Sequence, residues 1–246
     1  MTTASPSAGP RFLAAGDTAL VIEFGIVIDP ALIDAVQALD RAVAAAALPG
    51  VVETVPSFRS LMVHYDPLQT NQAELIRRIG ELETSAADSA SAGRSWLLPA
   101  CYERGFAPDL DAVAAATGLS PDAVQARHQE TGFTVAVLGF LPGCPFLSGL
   151  DALFDLPRRQ EPRTRVPSGS VAVAQKLSVI YPTESPGGWH LIGNCPLPLF
   201  DSRQEAPALL APGDAVRFRP IGAAEHARIR AAAEAGGFDP RRECAA

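Results

Sequence analysis

Residues 133–201 read FTVAVLGFLPGCPFLSGLDALFDLPRRQEPRTRVPSGSVAVAQKLSVIYPTESPGGWHLIGNCPLPLFD and carry the strongest fold signal of the chain. They open with a continuous apolar run, residues 133–140, which predicts a buried strand. Strand-like pieces follow at residues 170–174 and 179–181, and proline and glycine residues separate them. Short strands divided by such turn residues are typical of a small closed β-barrel.

The residues before this stretch predict a separate α+β unit, residues 11–83. Its elements follow the order ββαββα with short links, which favours an antiparallel sheet with both helices on one face. The fold class that we expect for the whole chain is therefore α+β. The predicted elements of this unit are strands at residues 12–13 and 19–24, a helix from Asp29-Pro30 to Pro49-Gly50, strands at residues 51–55 and 61–65, and a helix at residues 71–82.

Residues 84–95, TSAADSASAGRS, contain no large apolar residue and predict a linker between two domains. The second domain then covers residues 96–220. Before its barrel strands we expect two short helices, one at residues 108–117 and one that begins at Ser120-Pro121-Asp122. Residues 221–246 predict a tail that is helical over residues 223–235 and frays near Cys244.

Composition excludes several classes of partner. Lys+Arg number 20 and Asp+Glu number 27, so the net charge is −7 and nucleic acid is a poor candidate ligand. No apolar run approaches about 18 residues, so we expect no transmembrane helix and no membrane partner. The N-terminus, MTTASPSAGPR, does not resemble a signal peptide. Four cysteines without a CxxC pair indicate reduced thiols in a cytoplasmic protein.

Four arginines within eight positions form the clearest cluster of chemical groups, and prolines stiffen the loop around them. Arginine binds carboxylate or phosphate in a bidentate fashion, and a stiff loop lowers the entropy cost of holding it in place. The alternative is a solvated basic loop that pairs with the many Asp and Glu residues of this acidic chain. The cluster consists of Arg158, Arg159, Arg163 and Arg165.

Two glycine-containing segments can also bind an anion. Ser168-Gly169-Ser170 and Pro186-Gly187-Gly188-Trp189 offer backbone N–H groups and hydroxyls. Their glycines can equally serve tight barrel turns that need positive φ. Trp189 and Tyr181 also have two interpretations, because each belongs either to the barrel core or a subunit interface, or to a surface that contacts substrate.

His128 lies at the end of a predicted helix, where the helix dipole favours an imidazolium. It is either a structural cap or a general acid or base.

The ordered series of short motifs resembles the KipI / allophanate hydrolase subunit 1 family over roughly residues 11–220. That resemblance implies a ferredoxin-like N-terminal domain followed by a cyclophilin-like β-barrel domain of the carboxyltransferase type. His128 matches a histidine of the family just upstream of the motifs. The motifs are GFLPG at 139–143, LPRR at 156–159, PR at 162–163, VPSGS at 166–170, IYP at 180–182, SPGGW at 185–189, IG at 192–193, LFD at 199–201, PGD at 212–214 and VRF at 216–218.

The resemblance also implies a function. Such a chain works with a KipA / allophanate hydrolase subunit 2-type subunit and a LamB/YcsF-type subunit, and together they open 5-oxoproline to glutamate at the expense of ATP, with Mg²⁺ at the level of the complex. No metal ligand is expected in this chain. The predicted catalytic residues are His128, Arg158 and Arg159, and the predicted substrate-binding residues are Arg163, Ser168, Gly169, Ser170, Tyr181, Gly187, Gly188, Trp189 and Asn194.

Two alternatives remain open: a regulator that inhibits a sensor histidine kinase, and a subunit of a related urea- or allophanate-type carboxyltransferase or amidohydrolase. The chain departs from the family where a Gln-Thr-Gly element is usual, since it has Leu177 and Val179 there. It also has Asn194-Cys195 where the family has Arg or His followed by Thr. The resemblance places Cys144 and Cys195 near one site. They are interpreted as buried reduced thiols, and the alternative is a thiol pair or a metal site with His128. These departures predict a changed substrate preference.

Overall fold

The computed structural model describes residues 9–82 and 93–246, and a second compact unit begins at Gly93. Of the predicted linker, residues 84–95, the part up to residue 92 lies outside the described residues. Within the described parts of the chain, no helix has the length and apolar character that crossing a membrane requires.

The first unit has the predicted element order ββαββα. Its sheet is antiparallel throughout, in the strand order β1-β2-β4-β3. Both helices contribute to the cluster of apolar side chains on one face of this sheet. The α+β character is confirmed, and the assignment to the ferredoxin-like fold stays a prediction. The elements are β1 Arg11–Ala14, β2 Ala19–Glu23, α1 Pro30–Ala46, β3 Val51–Pro56, β4 Ser60–Tyr65 and α2 Gln72–Gly80.

The second unit has a seven-stranded sheet in the order β12-β9-β10-β7-β6-β13-β5 and a two-stranded ribbon, β11-β8. This curled sheet is consistent with the cyclophilin-like fold. The elements are β5 Ser95–Ala100, α3 Leu110–Thr117, α4 Pro121–Glu130, β6 Phe133–Leu138, β7 Pro145–Ser148, a 3₁₀ turn Ala152–Phe154, β8 Arg163–Val166, β9 Ser170–Ala174, β10 Leu177–Ile180, β11 Ser185–Gly187, β12 His190–Asn194, β13 Ala215–Pro220, α5 Ala223–Glu234 and α6 Pro240–Glu243.

The sheet curls far enough for its two edges to meet. The Cys101 amide, just after β5, donates to the Asn194 carbonyl of β12 at 2.8 Å, and the Asn194 amide donates back to Cys101 at 2.9 Å. An edge strand that finds a partner in this way no longer presents open N–H and C=O groups.

Two expectations for this unit are wrong. The apolar run that predicted a strand over residues 133–140 forms β6 only as far as Leu138, because Phe140 turns out of the sheet with φ 68°. The chain end does not fray, since Cys244 is buried and its carbonyl accepts from the Leu97 amide at 2.8 Å. A local turn thus ends β6, and a contact remote in sequence holds the chain end.

Candidate functional site

One cavity of the second unit, of about 310 Å³, gathers five of the predicted site residues. We call it the Arg158 pocket. Its walls are mostly apolar, and one arginine supplies the charge. It is lined by Phe140, Cys144, Phe146, Arg158, Pro162, Val179, Tyr181, Pro186, Gly187, Gly188 and Trp189.

The loop after β6 forms one wall of this pocket. The Cys144 amide donates to the Leu141 carbonyl at 3.0 Å, and Gly143 has φ 73°. Proline followed by a residue of positive φ is the pattern of a type II β-turn, which explains the Leu-Pro-Gly-Cys order. A Cβ on Gly143 would lie 2.8 Å from the Leu199 carbonyl oxygen. Glycine is therefore required there both for its φ and for the close approach.

Arg158 lies over Trp189, with 5.4 Å from its guanidinium carbon to the ring centroid. Trp189 is buried and packs perpendicular to Phe146, at 5.8 Å between ring centroids. Contact with an aromatic face holds a guanidinium without using its N–H donors. No ion pair between described residues includes Arg158. Its donors are thus available to a ligand carboxylate or phosphate.

The neighbouring arginines are engaged within the protein. Asp109, only 4% exposed, accepts from Arg159 at 3.1 Å and from Arg163 at 2.7 and 2.8 Å. Its carboxylate also accepts from the Leu191 amide at 2.7 Å. Burial raises the pKa of Asp109, but the Arg163 and Leu191 hydrogen bonds outweigh it, so the pKa ends below its usual value. Asp109 is thus an ionised clamp on the arginine loop.

Three of the four arginines pair with acidic residues, as the alternative interpretation expects, while the catalytic role of Arg159 and the substrate-binding role of Arg163 stay predictions. Arg165 pairs with Glu184 at the surface, at 2.9 Å, and Arg159 and Arg163 pair with Asp109. Sequence reasoning missed Asp109, although the expected pairing of this loop with acidic residues was a signal for it.

Gly187 allows Tyr181 to lie against the backbone, because a Cβ at residue 187 would overlap the tyrosine hydroxyl. Burial raises the pKa of Tyr181 to about 12, so its hydroxyl stays protonated. The Gly188 carbonyl accepts from the Arg159 amide at 2.7 Å and ties the glycine pair to the arginine loop. Glycine is therefore required at residue 187 for packing, and the substrate-binding role of both glycines stays a prediction.

Ser168, Gly169 and Ser170 lie outside the lining of the Arg158 pocket. The Gly169 amide donates to the Tyr181 carbonyl at 2.7 Å, and the Ser168 hydroxyl donates to the Pro182 carbonyl at 3.0 Å. Ser170 is buried. The Gly169 N–H and the Ser168 hydroxyl are thus used inside the protein, and the substrate-binding role of the segment stays a prediction.

Asn194 belongs to a second polar cluster, next to α5. Its amide nitrogen donates to the Ser168 carbonyl at 2.9 Å. Its side-chain oxygen accepts from His226 at 2.7 Å and from Arg230 at 3.1 Å. Asn194 does not line the Arg158 pocket, and its hydrogen bonds are those of a residue that joins a strand to a helix.

His128 is fully buried in the core of the second unit. Its ring nitrogens lie 2.9 Å from the Tyr102 and Ser178 hydroxyls, and its ring packs on Phe133 and Phe218. Burial lowers its pKa to about 3, so the imidazole is neutral and the expected imidazolium is absent. The structure gives His128 a core position away from the Arg158 pocket, and its catalytic role stays a prediction.

Cys144 lines the Arg158 pocket and Cys195 does not. Burial raises the pKa of each thiol to about 12, so both stay protonated. Among the described residues no group of three or more His, Cys, Asp or Glu could hold a metal ion. Of the departures from the family pattern, Val179 lines the pocket, whereas Leu177 is buried elsewhere along β10.

Comparison with known proteins places this geometry in context. A family model described as "Carboxyltransferase domain, subdomain C and D" matches residues 10–210. The chain is 36% identical over 217 residues to a 5-oxoprolinase subunit of Bacillus subtilis, and the match covers 82% of this chain and 89% of that protein. It is 40% identical to the corresponding 5-oxoprolinase subunit of Escherichia coli O157:H7, with 70% of this chain and 79% of that protein covered.

A solved structure, the urea amidolyase of K. lactis, is similar in fold. The TM-score is 0.75 at 23% sequence identity, and the match covers 94% of this chain. The chain spans 16% of that much longer protein.

Proposed function

We propose that this chain is one subunit of an ATP-dependent 5-oxoprolinase. The chain belongs to the family described as "Carboxyltransferase domain, subdomain C and D". The relatives named as 5-oxoprolinase subunits support this assignment. A protein that is named as a subunit has partner subunits, and we assign these to the KipA / allophanate hydrolase subunit 2 type and the LamB/YcsF type. The reaction converts 5-oxoproline, ATP and two molecules of water into glutamate, ADP and phosphate.

The observation that carries the proposal is Arg158 above Trp189 in an apolar pocket of about 310 Å³. 5-Oxoproline is a five-membered ring with one carboxylate. The guanidinium of Arg158 can bind that carboxylate through two parallel hydrogen bonds. The apolar walls suit the methylene groups of the ring. A small cyclic amide that bears a carboxylate therefore matches the pocket in both charge and polarity.

Hydrolysis breaks the ring C–N bond, and water supplies a hydroxyl to the carbonyl carbon and a proton to the nitrogen. The pocket holds no ready nucleophile, since the Cys144 thiol is protonated at neutral pH. Tyr181, also protonated, can donate a hydrogen bond to the amide oxygen as negative charge develops on it. The role that we assign to this chain is to bind the substrate and orient it.

ATP does not fit the Arg158 pocket. Its lining is mostly apolar with a single arginine, and the sequence has no glycine-rich phosphate loop. We therefore place ATP and its Mg²⁺ in the partner subunits.

The test is reconstitution. The chain is purified together with its KipA-type and LamB/YcsF-type partners, and glutamate formation from 5-oxoproline, ATP and Mg²⁺ is measured with and without it. Activity that depends on the chain supports the proposal. A stable complex without turnover contradicts the choice of substrate, and failure to form a complex favours the kinase-inhibitor alternative.

In this complex, Arg158→Ala is expected to raise the KM for 5-oxoproline about 10- to 100-fold, because a charge-assisted hydrogen bond to the substrate is lost. Arg165→Ala is the matched control in the same loop. Arg165 is exposed and pairs with Glu184, so its removal should leave KM unchanged. Steady-state kinetics and co-purification with the partners measure both effects. A parent-like KM for Arg158→Ala would contradict the role of Arg158.

A related urea-type amide is the second candidate substrate. Val179 lines the pocket at a position where the family pattern has glycine, and this change in the pocket wall predicts a changed substrate preference. The fold likeness to urea amidolyase is consistent with it. Turnover of urea or allophanate in the same reconstituted complex, compared with 5-oxoproline, distinguishes the two.

A further inference from the structure

Phe140 combines two unfavourable features. Its side chain is 67% exposed, and its backbone is left-handed with φ 68°. The Leu141 amide donates to the Gly139 carbonyl at 2.8 Å. This i to i+2 hydrogen bond around a residue of positive φ defines the rare, strained form of the γ-turn. A bulky aromatic residue in this conformation is an outlier, since glycine is the residue that adopts it without cost.

The other described non-glycine residues with positive φ have ordinary explanations. Ala47 forms the C-cap of α1, and Gln175 and Lys176 form the two-residue turn between β9 and β10. Left-handed residues are common at such helix ends and tight hairpin turns. Phe140 belongs to neither class, so its strain calls for another reason. Strained residues of this kind cluster at ligand-binding sites.

The ring of Phe140 lies at the opening of the Arg158 pocket. It contributes to the lining together with Arg158 and Trp189, yet most of its surface is exposed. The turn that holds it is fixed on both sides by Cys144, whose carbonyl accepts from the Gly139 amide at 3.1 Å and whose amide donates to the Leu141 carbonyl at 3.0 Å. An aromatic ring on a fixed backbone offers apolar contact area at a low entropy cost.

We propose that Phe140 is a specificity-determining residue that packs on the apolar face of the ligand in the Arg158 pocket. The ligand class is a small ring that bears a carboxylate, with the carboxylate on Arg158 and the ring covered by Phe140. This inference rests on the proposed function and adds a residue to it. The strained turn is retained because it holds the ring over the opening.

Two substitutions separate strain from contact. Phe140→Gly removes both the ring and the strain, so it is expected to raise the melting temperature by about 2 °C. It should also raise the KM for 5-oxoproline about tenfold in the reconstituted complex. Phe140→Ala loses the ring but keeps the strain, so it should raise KM equally without stabilising the chain. Gln175→Gly, which relieves a left-handed residue outside the pocket, should leave KM unchanged.

A second measurement uses the full chain alone with cyclopentanecarboxylate as the probe, in a calorimetric titration. The parent and Gln175→Gly should bind it alike, and Phe140→Gly about tenfold more weakly. An inactive parent complex together with weakened probe binding in Phe140→Gly would refute the proposed function and support the role of Phe140. An active parent with an unchanged KM in Phe140→Gly would overturn the role of Phe140 alone. A parent that does not bind the probe, or equal affinities in parent and Phe140→Gly, would also overturn it.

Discussion

Asp109→Ala is expected to lower the free energy of unfolding of the second unit by about 3 kcal/mol. The substitution removes a buried carboxylate and leaves the guanidiniums of Arg159 and Arg163 without their partner. The loss is costly because the buried Leu191 amide and the partly buried guanidiniums lose their hydrogen-bond acceptor. Both tryptophans of the chain, Trp96 and Trp189, lie in this unit, so their fluorescence in a guanidinium titration reports its unfolding.

Asp201→Ala is the matched control. Asp201 also pairs with an arginine through both carboxylate oxygens, at 2.8 and 3.0 Å to Arg203, but this pair lies at the surface. Exposed ion pairs contribute less than about 1 kcal/mol. If Asp201→Ala lowered the free energy of unfolding as much as Asp109→Ala, the stabilising role that we assign to Asp109 would be contradicted.

The clamp also has a predicted pH dependence. The folded pKa of Asp109 lies below its usual value. An unfolded aspartate has a pKa of about 3.9. The folded state therefore releases this proton more readily, so the contribution of Asp109 is fully present above about pH 4. It is lost as the pH falls through the lower, folded pKa.

Local chemistry made most of the secondary structure predictable. The helix starts depend on side chains next to the helix itself: Asp29 accepts from the Ala31 amide at 2.8 Å, and Ser120 accepts from the Ala123 amide at 3.2 Å. Strand β9 occupies the predicted residues because its apolar run is bounded by turn residues on both sides. These features need no knowledge of the tertiary structure.

The site was predictable only in part, because its charges are matched between residues remote in sequence. Four arginines close together look equivalent along the chain, but Asp109 is 50 residues from Arg159 and 54 from Arg163. That pairing leaves Arg158 as the arginine that faces the pocket. The buried position of His128 likewise depends on a residue remote in sequence, since its hydrogen-bond partner Ser178 lies 50 residues away. Sequence spacing contains no information about either contact.

His128 is expected to make the second unit unstable in mild acid. The Ser178 hydroxyl donates to the Ala172 carbonyl at 3.2 Å, so it accepts from Nε2–H of His128, and Nδ1 accepts from the Tyr102 hydroxyl. This neutral tautomer satisfies both ring nitrogens. A proton added at Nδ1 would reverse the direction of the Tyr102 hydrogen bond and, above all, place a charge in an apolar core.

The sign of the effect follows from the two pKa values. An unfolded histidine takes up a proton below about pH 6.5. The folded His128 does so only near its lowered pKa of about 3. Between these values the unfolded state binds more protons, so the free energy of unfolding falls as the pH falls. Where the unfolded histidine is fully protonated, one such site contributes about 1.4 kcal/mol per pH unit.

The measurement compares guanidinium unfolding of the parent, His128→Gln and His64→Gln between pH 7 and 5. His128→Gln is expected to be less stable at pH 7 but to lose about 1 kcal/mol less per pH unit, because the unfolded histidine is only partly protonated over much of this range. Some slope should remain, because burial and then Arg230 also lower the pKa of His226. His64 lies in the first unit, so His64→Gln should keep the parental slope. An unchanged slope in His128→Gln would contradict this prediction, because it would mean that folded His128 takes up a proton between pH 7 and 5 as an unfolded histidine does.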